Sequence, residues 1–235
     1  MRRLLCATAV SLSLCLSFAA QAAPVATVVS VDKPAAGTPI LIAVPETSMV
    51  LLTTGGAQPK QEWNQDATKN LGTALTNAIK ARGFTPETVD PAAYDGSRDL
   101  QILKLNDTVT AAIQSNAFLP MPTKTSFDWT LGEGAAELRP ESDTTPAAYI
   151  LFVHASGNYS SGGRVAMGIL LAAAGSSAGG QLMVGGSQTL SGTLVDLNTG
   201  KIVWYKQVAF GAGTDLRTEA GDIAGVDALL KALPF

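Results

Sequence analysis

From residue 40 onward the apolar residues fall into two patterns, short continuous runs and recurrences at three- and four-residue spacing. Ile40-Leu-Ile-Ala-Val44 is a continuous run closed by Pro45, which predicts a strand covered on both faces. Met49-Val-Leu-Leu52 extends or repeats it before Thr53-Thr-Gly-Gly56 turns the chain. From Glu62, Trp63, Ala67, Leu71, Leu75, Ala78 and Ile79 recur at helical spacing, and Gly83 follows Lys80 and Arg82 where a helix end is expected. Phe84 to Val89 predicts a second strand interrupted by Pro86, and Leu100, Leu103, Leu105, Val109 and Ile113 predict a helix over 98–116. Pro120, Pro122 and Pro140 mark loops around a short helix from Thr130 to Leu138. Tyr149-Ile-Leu-Phe-Val153 has the composition of a central strand.

Two further strand-like runs, Gln188 to Leu197 and Lys201 to Phe210, flank Asn198-Thr199-Gly200, a loop with glycine where a bulged hairpin needs a left-handed residue. A last helix is expected after a Thr214 cap, with Asp215 and Glu219 in its early turns, Ile223, Val226, Leu229 and Leu230 buried, and Pro234 beyond its end. Strands alternating with helices, plus one hairpin, predict an α/β fold: a three-layer mixed sheet with helices on both faces and a carboxy-proximal β-hairpin.

Ahead of this pattern, Arg2 and Arg3 precede an uncharged run from Leu4 to Ala20 that finishes Ala20-Gln21-Ala22. This predicts a signal peptide over 1–22, cleaved after Ala22. The alternative, an uncleaved membrane anchor, is disfavoured by the short apolar stretch and its small-residue end. Residues 23–38 lack periodicity and are expected to form a flexible lead-in. Residues 39–235 are expected to form a single domain. Both cysteines, Cys6 and Cys15, lie in the leader and follow leucines, so neither disulfides nor lipid attachment is expected. Removing 22 of the 235 residues leaves 213, and losing Arg2 and Arg3 takes the formal charge from −3 to about −5. The expected location is the periplasm or the outer-membrane periphery after Sec-type export.

Charged residues make up 15% of the chain against 46% hydrophobic, which excludes disorder and coiled-coil readings. Sixteen basic and nineteen acidic residues, with no basic cluster, leave no footprint for a nucleic acid partner. The charge is unevenly spread: the 31 residues between Arg164 and Asp196 carry none. That stretch contains Val165-Ala-Met-Gly-Ile-Leu-Leu-Ala-Ala-Ala174 and then many glycines, and defines an apolar, Gly-rich insertion at about 163–187. It is expected to be a buried or partner-facing helix from about Gly163 to Ala174, since Gly175, Gly179 and Gly180 stop the run short of the roughly 20 residues that span a bilayer. Peripheral membrane contact is the alternative.

Candidate chemistry is sparse. Gly175-Ser-Ser-Ala-Gly179 matches the G-x-S-x-G elbow, but a helix-like run precedes Ser177, and the only histidine, His154, comes earlier in the chain than that class of hydrolase requires. His154 follows the Tyr149 to Val153 run at the expected strand end and has no acid, cysteine or second histidine at ligand spacing. Glu62 and Asp66 share a helix face in a first turn, where acids complement the helix dipole. Trp63, Trp129 and Trp204 are expected as core anchors. No phosphate loop or G-x-G-x-x-G occurs, so no catalytic, cofactor-binding or metal set is expected.

Ala148-Tyr-Ile-Leu-Phe152 taken with Leu194-Val-Asp-Leu-Asn-Thr-Gly-Lys-Ile-Val-Trp204 resembles the envelope domains related to the TolB amino-terminal domain and the curli-secretion channel subunit. In those families a strand is followed by a hairpin with a D-x-x-T-G-x turn, and a helix closes the domain. Leu51-Leu-Thr-Thr-Gly-Gly56 and Pro59-Lys-Gln-Glu-Trp63 are similar to uncharacterised proteobacterial envelope proteins. The resemblance spans roughly residues 40 to 232. It implies a non-catalytic envelope accessory or assembly protein that binds an envelope protein or itself. A membrane-associated or channel-like subunit is the alternative, and a serine hydrolase using Ser177 with His154 a second one. The chain departs from the channel family in lacking alternating membrane hairpins over 165–186 and a lipidated amino terminus.

Overall fold

The computed structural model describes residues 27–28, 31, 33–90, 97–119, 121, 124, 126–139, 146–177, 186–211 and 213–235. The expected leader, part of the lead-in and residues 178–185 of the insertion lie outside them. In chain order the elements are β1 (Thr27–Val28), β2 (Pro39–Ala43), β3 (Glu46–Thr53), β4 (Gly56–Pro59), α1 (Gln61–Ala81), β5 (Thr85–Val89) and α2 (Arg98–Phe118). A 3₁₀ helix over Glu133–Leu138 follows, then β6 (Tyr149–Ser160), α3 (Gly162–Ala173), β7 (Gln188–Asp196), β8 (Ile202–Phe210) and α4 (Glu219–Leu230).

The sheet runs β1-β8-β7-β6-β2-β5, with the β3–β4 hairpin attached through β3 to β6. β6 organises it. Its first residues pair in parallel with β2, Ile40 opposite Tyr149, and its later ones pair in parallel with β3, from Glu46 opposite His154 to Leu52 opposite Ser160. β2 and β3 therefore lie end to end along one strand. Pro45 separates them, since it has no N–H to continue a ladder. Along its other edge β6 pairs antiparallel with β7 from Tyr149 to Gly157.

Strand side chains alternate between two cores on opposite faces, which is why the apolar runs are continuous. Ile40, Ile42, Leu151, Val153, Leu194 and Trp204 pack with Leu71, Leu75 and Ile79 of α1 and with Val226, Leu229 and Leu230 of α4. Leu41, Ala43, Ile150, Phe152, Val195 and Tyr205 pack with Ile102, Leu103 and Ile113 of α2 and Leu138 of the 3₁₀ helix. This is the expected three-layer arrangement.

The expected hairpin is β7–β8. Gly200 has φ +67, and Asp196 accepts from the Asn198 amide at 2.8 Å and from the Thr199 hydroxyl at 2.8 Å. Gly192 on β7 lets the Trp204 ring lie flat across the sheet, because a Cβ there would sit 2.9 Å from Cζ3. In the lead-in, Thr27 and Val28 pair antiparallel with Tyr205 and Trp204.

Two details differ from expectation. The last helix is capped by Thr218, whose Oγ accepts from the Gly221 amide at 3.1 Å, because Thr214 to Arg217 are used in a preceding turn. The segment around 130–138 forms a 3₁₀ turn rather than an α-helix. α3 forms as expected, with Ser161 Oγ accepting from the Arg164 amide at 3.2 Å, and of the two arrangements expected for it, buried or outward-facing, its apolar side chains take the outward one. It leaves the far end of β6, where the Ser161 amide donates to Leu52 O at 2.8 Å, beyond both cores, and packs chiefly against β3.

Candidate functional site

α3 presents Met167, Ile169 and Leu170 at 42%, 52% and 65% exposure, beside exposed Ala166, Ala172 and Ala173. Only Gly168 is buried, and Arg164 is the helix's one charged residue. A helix that is apolar on its outer face has no intrinsic reason to remain wet. Six exposed apolar or small residues between Ala166 and Ala173 make this a contact surface on the scale of a few side chains, the scale at which binding energy concentrates.

A second feature lies on the opposite face of the sheet, where β2 gives way to β3. Here α2 covers β2 and the first half of β6 but not the second half. Beyond Val153 the side chains on the α2 side of the strands become polar and open: His154 and Asn158 of β6, and Glu46 and Ser48 of β3, are exposed. The break between β2 and β3 leaves a cleft of about 300 Å³ between α2 and the sheet. Ala43, Val44, Leu100, Leu103, Phe152 and Val153 form its apolar wall; Glu46, His154, Lys104, Asn106 and Asp107 bring polar groups. Clefts at the carboxyl ends of parallel strands are where α/β sheets most often hold ligands.

The electrostatics of this cleft depart from those of a solvated surface. His154 Nδ1 lies 3.8 Å from Glu46 Oε2, and that contact is the main influence holding the Glu46 carboxyl below its usual range. Burial, followed by the charge of Glu46, pushes Asp107 up to about 6, while His154 and Lys104 pull the other way. Asn106 is 4% exposed and its Oδ1 has no hydrogen-bond partner among the described residues. The Thr110 and Thr193 hydroxyls meet at 3.3 Å across the cleft floor. Sequence spacing gave no sign of the Glu46–His154 pair, because the two residues are joined only by the β3–β6 register.

The remaining candidates fall elsewhere. His154 lies within β6 rather than at its end, faces Glu46, and makes no pair with Ser177, which is exposed just past α3. Glu62 and Asp66 are exposed on the first turns of α1. Trp204 is fully buried, but Trp63 and Trp129 are only partly so. Arg217 stacks 4.8 Å over Trp63 and 4.0 Å over Tyr159, and holds Asp215 through two hydrogen bonds of 2.9 and 2.7 Å. Gln188 accepts from the Tyr159 hydroxyl and the Leu216 amide, both at 2.7 Å, so this cluster ties down the turn before α4. Among the described residues no three His, Cys, Asp or Glu side chains are placed to hold a metal ion, and no helix is long and apolar enough to cross a membrane.

No family model and no curated protein matches the chain. Among solved structures it is similar to the PelC dodecamer from Paraburkholderia phytofirmans, at 11% identity and a TM-score of 0.36, covering 90% of this chain and 98% of that one. It is similar to the LpoB C-terminal domain from Salmonella enterica, at 18% identity and a TM-score of 0.28, covering 76% and 86%. Lipoprotein GNA1162 from Neisseria meningitidis gives 11% identity and a TM-score of 0.32 over 83% and 96%. At these TM-scores the functional reading rests on the chain's own residues.

Proposed function

We propose that this protein is a non-catalytic accessory or assembly component of the bacterial cell envelope, working at the periplasm or outer-membrane periphery by binding another envelope protein through α3. One observation carries the reading: α3 exposes Met167, Ile169 and Leu170 although the cores on both faces of the sheet are already filled. The occupant is an apolar groove on a protein partner, because a short helix with a single charge offers side-chain packing and little else. The leader expected over 1–22 supports the location. The adjacency of Leu151 and Leu194, which brings together the two segments carrying the TolB-like resemblance, supports the envelope kinship.

Ile169→Glu combined with Leu170→Glu tests it. The variant retains the wild-type fold by circular dichroism and loses its envelope partner in co-purification from detergent-free extracts. Unchanged partners with the same fold would refute the proposal. The membrane-associated or channel-like reading gains only if wild-type protein resists carbonate extraction and yields to detergent. For the hydrolase reading, exposed Ser177 without a paired histidine gives no activated nucleophile.

A further inference from the structure

We propose that the protein bound by α3 presents a carboxylate to Arg164, so that the apolar patch of Met167 and Leu170 is anchored at one end by an ion pair across the interface. The surface is the one already assigned to partner binding, and the ion pair rests on that reading. Every other described arginine is engaged within the fold. Arg82 donates to Ala78 O at 2.9 Å and Leu230 O at 3.1 Å, and Arg98 pairs with Glu137 at 3.3 Å. Arg139 donates to Ala147 O at 2.8 Å and Asn198 Oδ1 at 2.6 Å, and Arg217 pairs with Asp215 at 2.7 Å. The Arg164 side chain makes no hydrogen bond and no ion pair among the described residues. Its Nε is enclosed without an acceptor, while the two terminal nitrogens remain open to solvent on a partly exposed residue.

Nothing in the local structure accounts for a cation at this position. Arg164 lies in the first turn of α3, where a positive charge opposes the helix dipole. Its contribution to the cap is the backbone amide that Ser161 Oγ accepts from, and any side chain leaves that bond in place. No residue from Val165 to Val195 is charged, so the chain places no counter-charge in the stretch that follows. A partly buried guanidinium without an acceptor is completed from outside. Its place on the helix suits the contact surface: Arg164, Met167 and Leu170 follow at three-residue intervals, so neighbours in the row share one surface, and exposure grows along it to 65% at Leu170. Met167 and Leu170 supply the apolar contact, and the planar fork of Arg164 takes a carboxylate more specifically than an ammonium would. An aspartate or glutamate at the edge of the partner's apolar groove meets both demands, and arginine beside apolar anchors is a composition in which binding energy concentrates.

The test is photo-crosslinking from position 169 of the full chain, in cells and in detergent-free extracts, with Arg164→Gln and Arg164→Lys. Arg164→Gln lowers the yield of the crosslinked protein by about fivefold or more, with the melting temperature unchanged because the side chain bonds nothing inside the fold. Arg164→Lys keeps the charge, loses the fork and gives a yield between the two. In extracts the wild-type yield falls as salt rises from about 50 to about 500 mM, and the Arg164→Gln yield does not. An Arg164→Gln yield equal to wild type, or a wild-type yield indifferent to salt, overturns the proposal; if Met167→Glu still abolishes the species, the α3 reading stands without it. No crosslinked protein from wild type overturns both. A lipid adduct that Arg164→Gln removes makes the anion a lipid phosphate and overturns the carboxylate. If Arg164→Gln melts below wild type, the salt response of the wild-type yield decides alone.

Discussion

Asp222 lies in the first turn of α4 with none of its surface exposed and neither carboxylate oxygen closely hydrogen-bonded. Burial pushes its carboxyl up to about 7, the charge of Asp215 adds to this, and the Asn70 amide only partly offsets it. The folded state therefore holds the proton more tightly than the unfolded chain. Its contribution is most favourable below about pH 4, where both states are protonated, and worsens as pH rises toward 7. Asp222→Asn is thus more stable than wild type at pH 8, by an order of magnitude of 2 kcal/mol, and the difference closes by pH 4. Urea denaturation of both proteins at the two pH values checks this. Gly192→Ala acts through shape instead: a methyl 2.9 Å from the Trp204 ring and 3.1 Å from Leu229 forces one of them to move. The expected cost is about 1–3 kcal/mol, read from the same denaturation curves.

At the scale of elements, the strands were legible to the extent that both of their faces are covered. Tyr149 to Val153 is a continuous apolar run because α1 lies on one side and α2 on the other; from His154 to Asn158 the α2 side opens and β6 continues with alternating polar residues. The run stops at Val153 but the strand does not. The same opening makes Glu46 and Ser48 polar on β3 while Met49 stays buried. The cleft belongs to this change of cover and to a pairing distant in sequence, so no local spacing signals it. α3 was legible as a helix from its composition and the glycines after it, while burial and exposure both stayed open, since an apolar run reads alike whether it meets a core or a partner. Hairpin and helix also differ in what they stabilise. Gly200→Ala, at φ +67 and with its Cβ 1.9 Å from Gly132 O, destabilises the fold by about 2 kcal/mol or more. Leu170→Ser leaves stability within about 0.5 kcal/mol, because its side chain is already wet. Thermal melts of the two variants distinguish a structural glycine from an exposed contact residue.

At the scale of the whole molecule, a sheet filled on both faces by α1 and α4 against α2 and the 3₁₀ helix leaves α3 outside the stabilising cores. By the function proposed above, this outlying helix meets another protein. Photo-crosslinking in cells tests it most directly, with the probe placed at Ile169 or Leu170 of the full chain and, as a control, at exposed Asp227 on α4. A partner-binding α3 gives one discrete crosslinked protein species from positions 169 and 170, absent from 227 and abolished when Met167→Glu is added. Crosslinks to lipid alone, or the same pattern from all three positions, would contradict it.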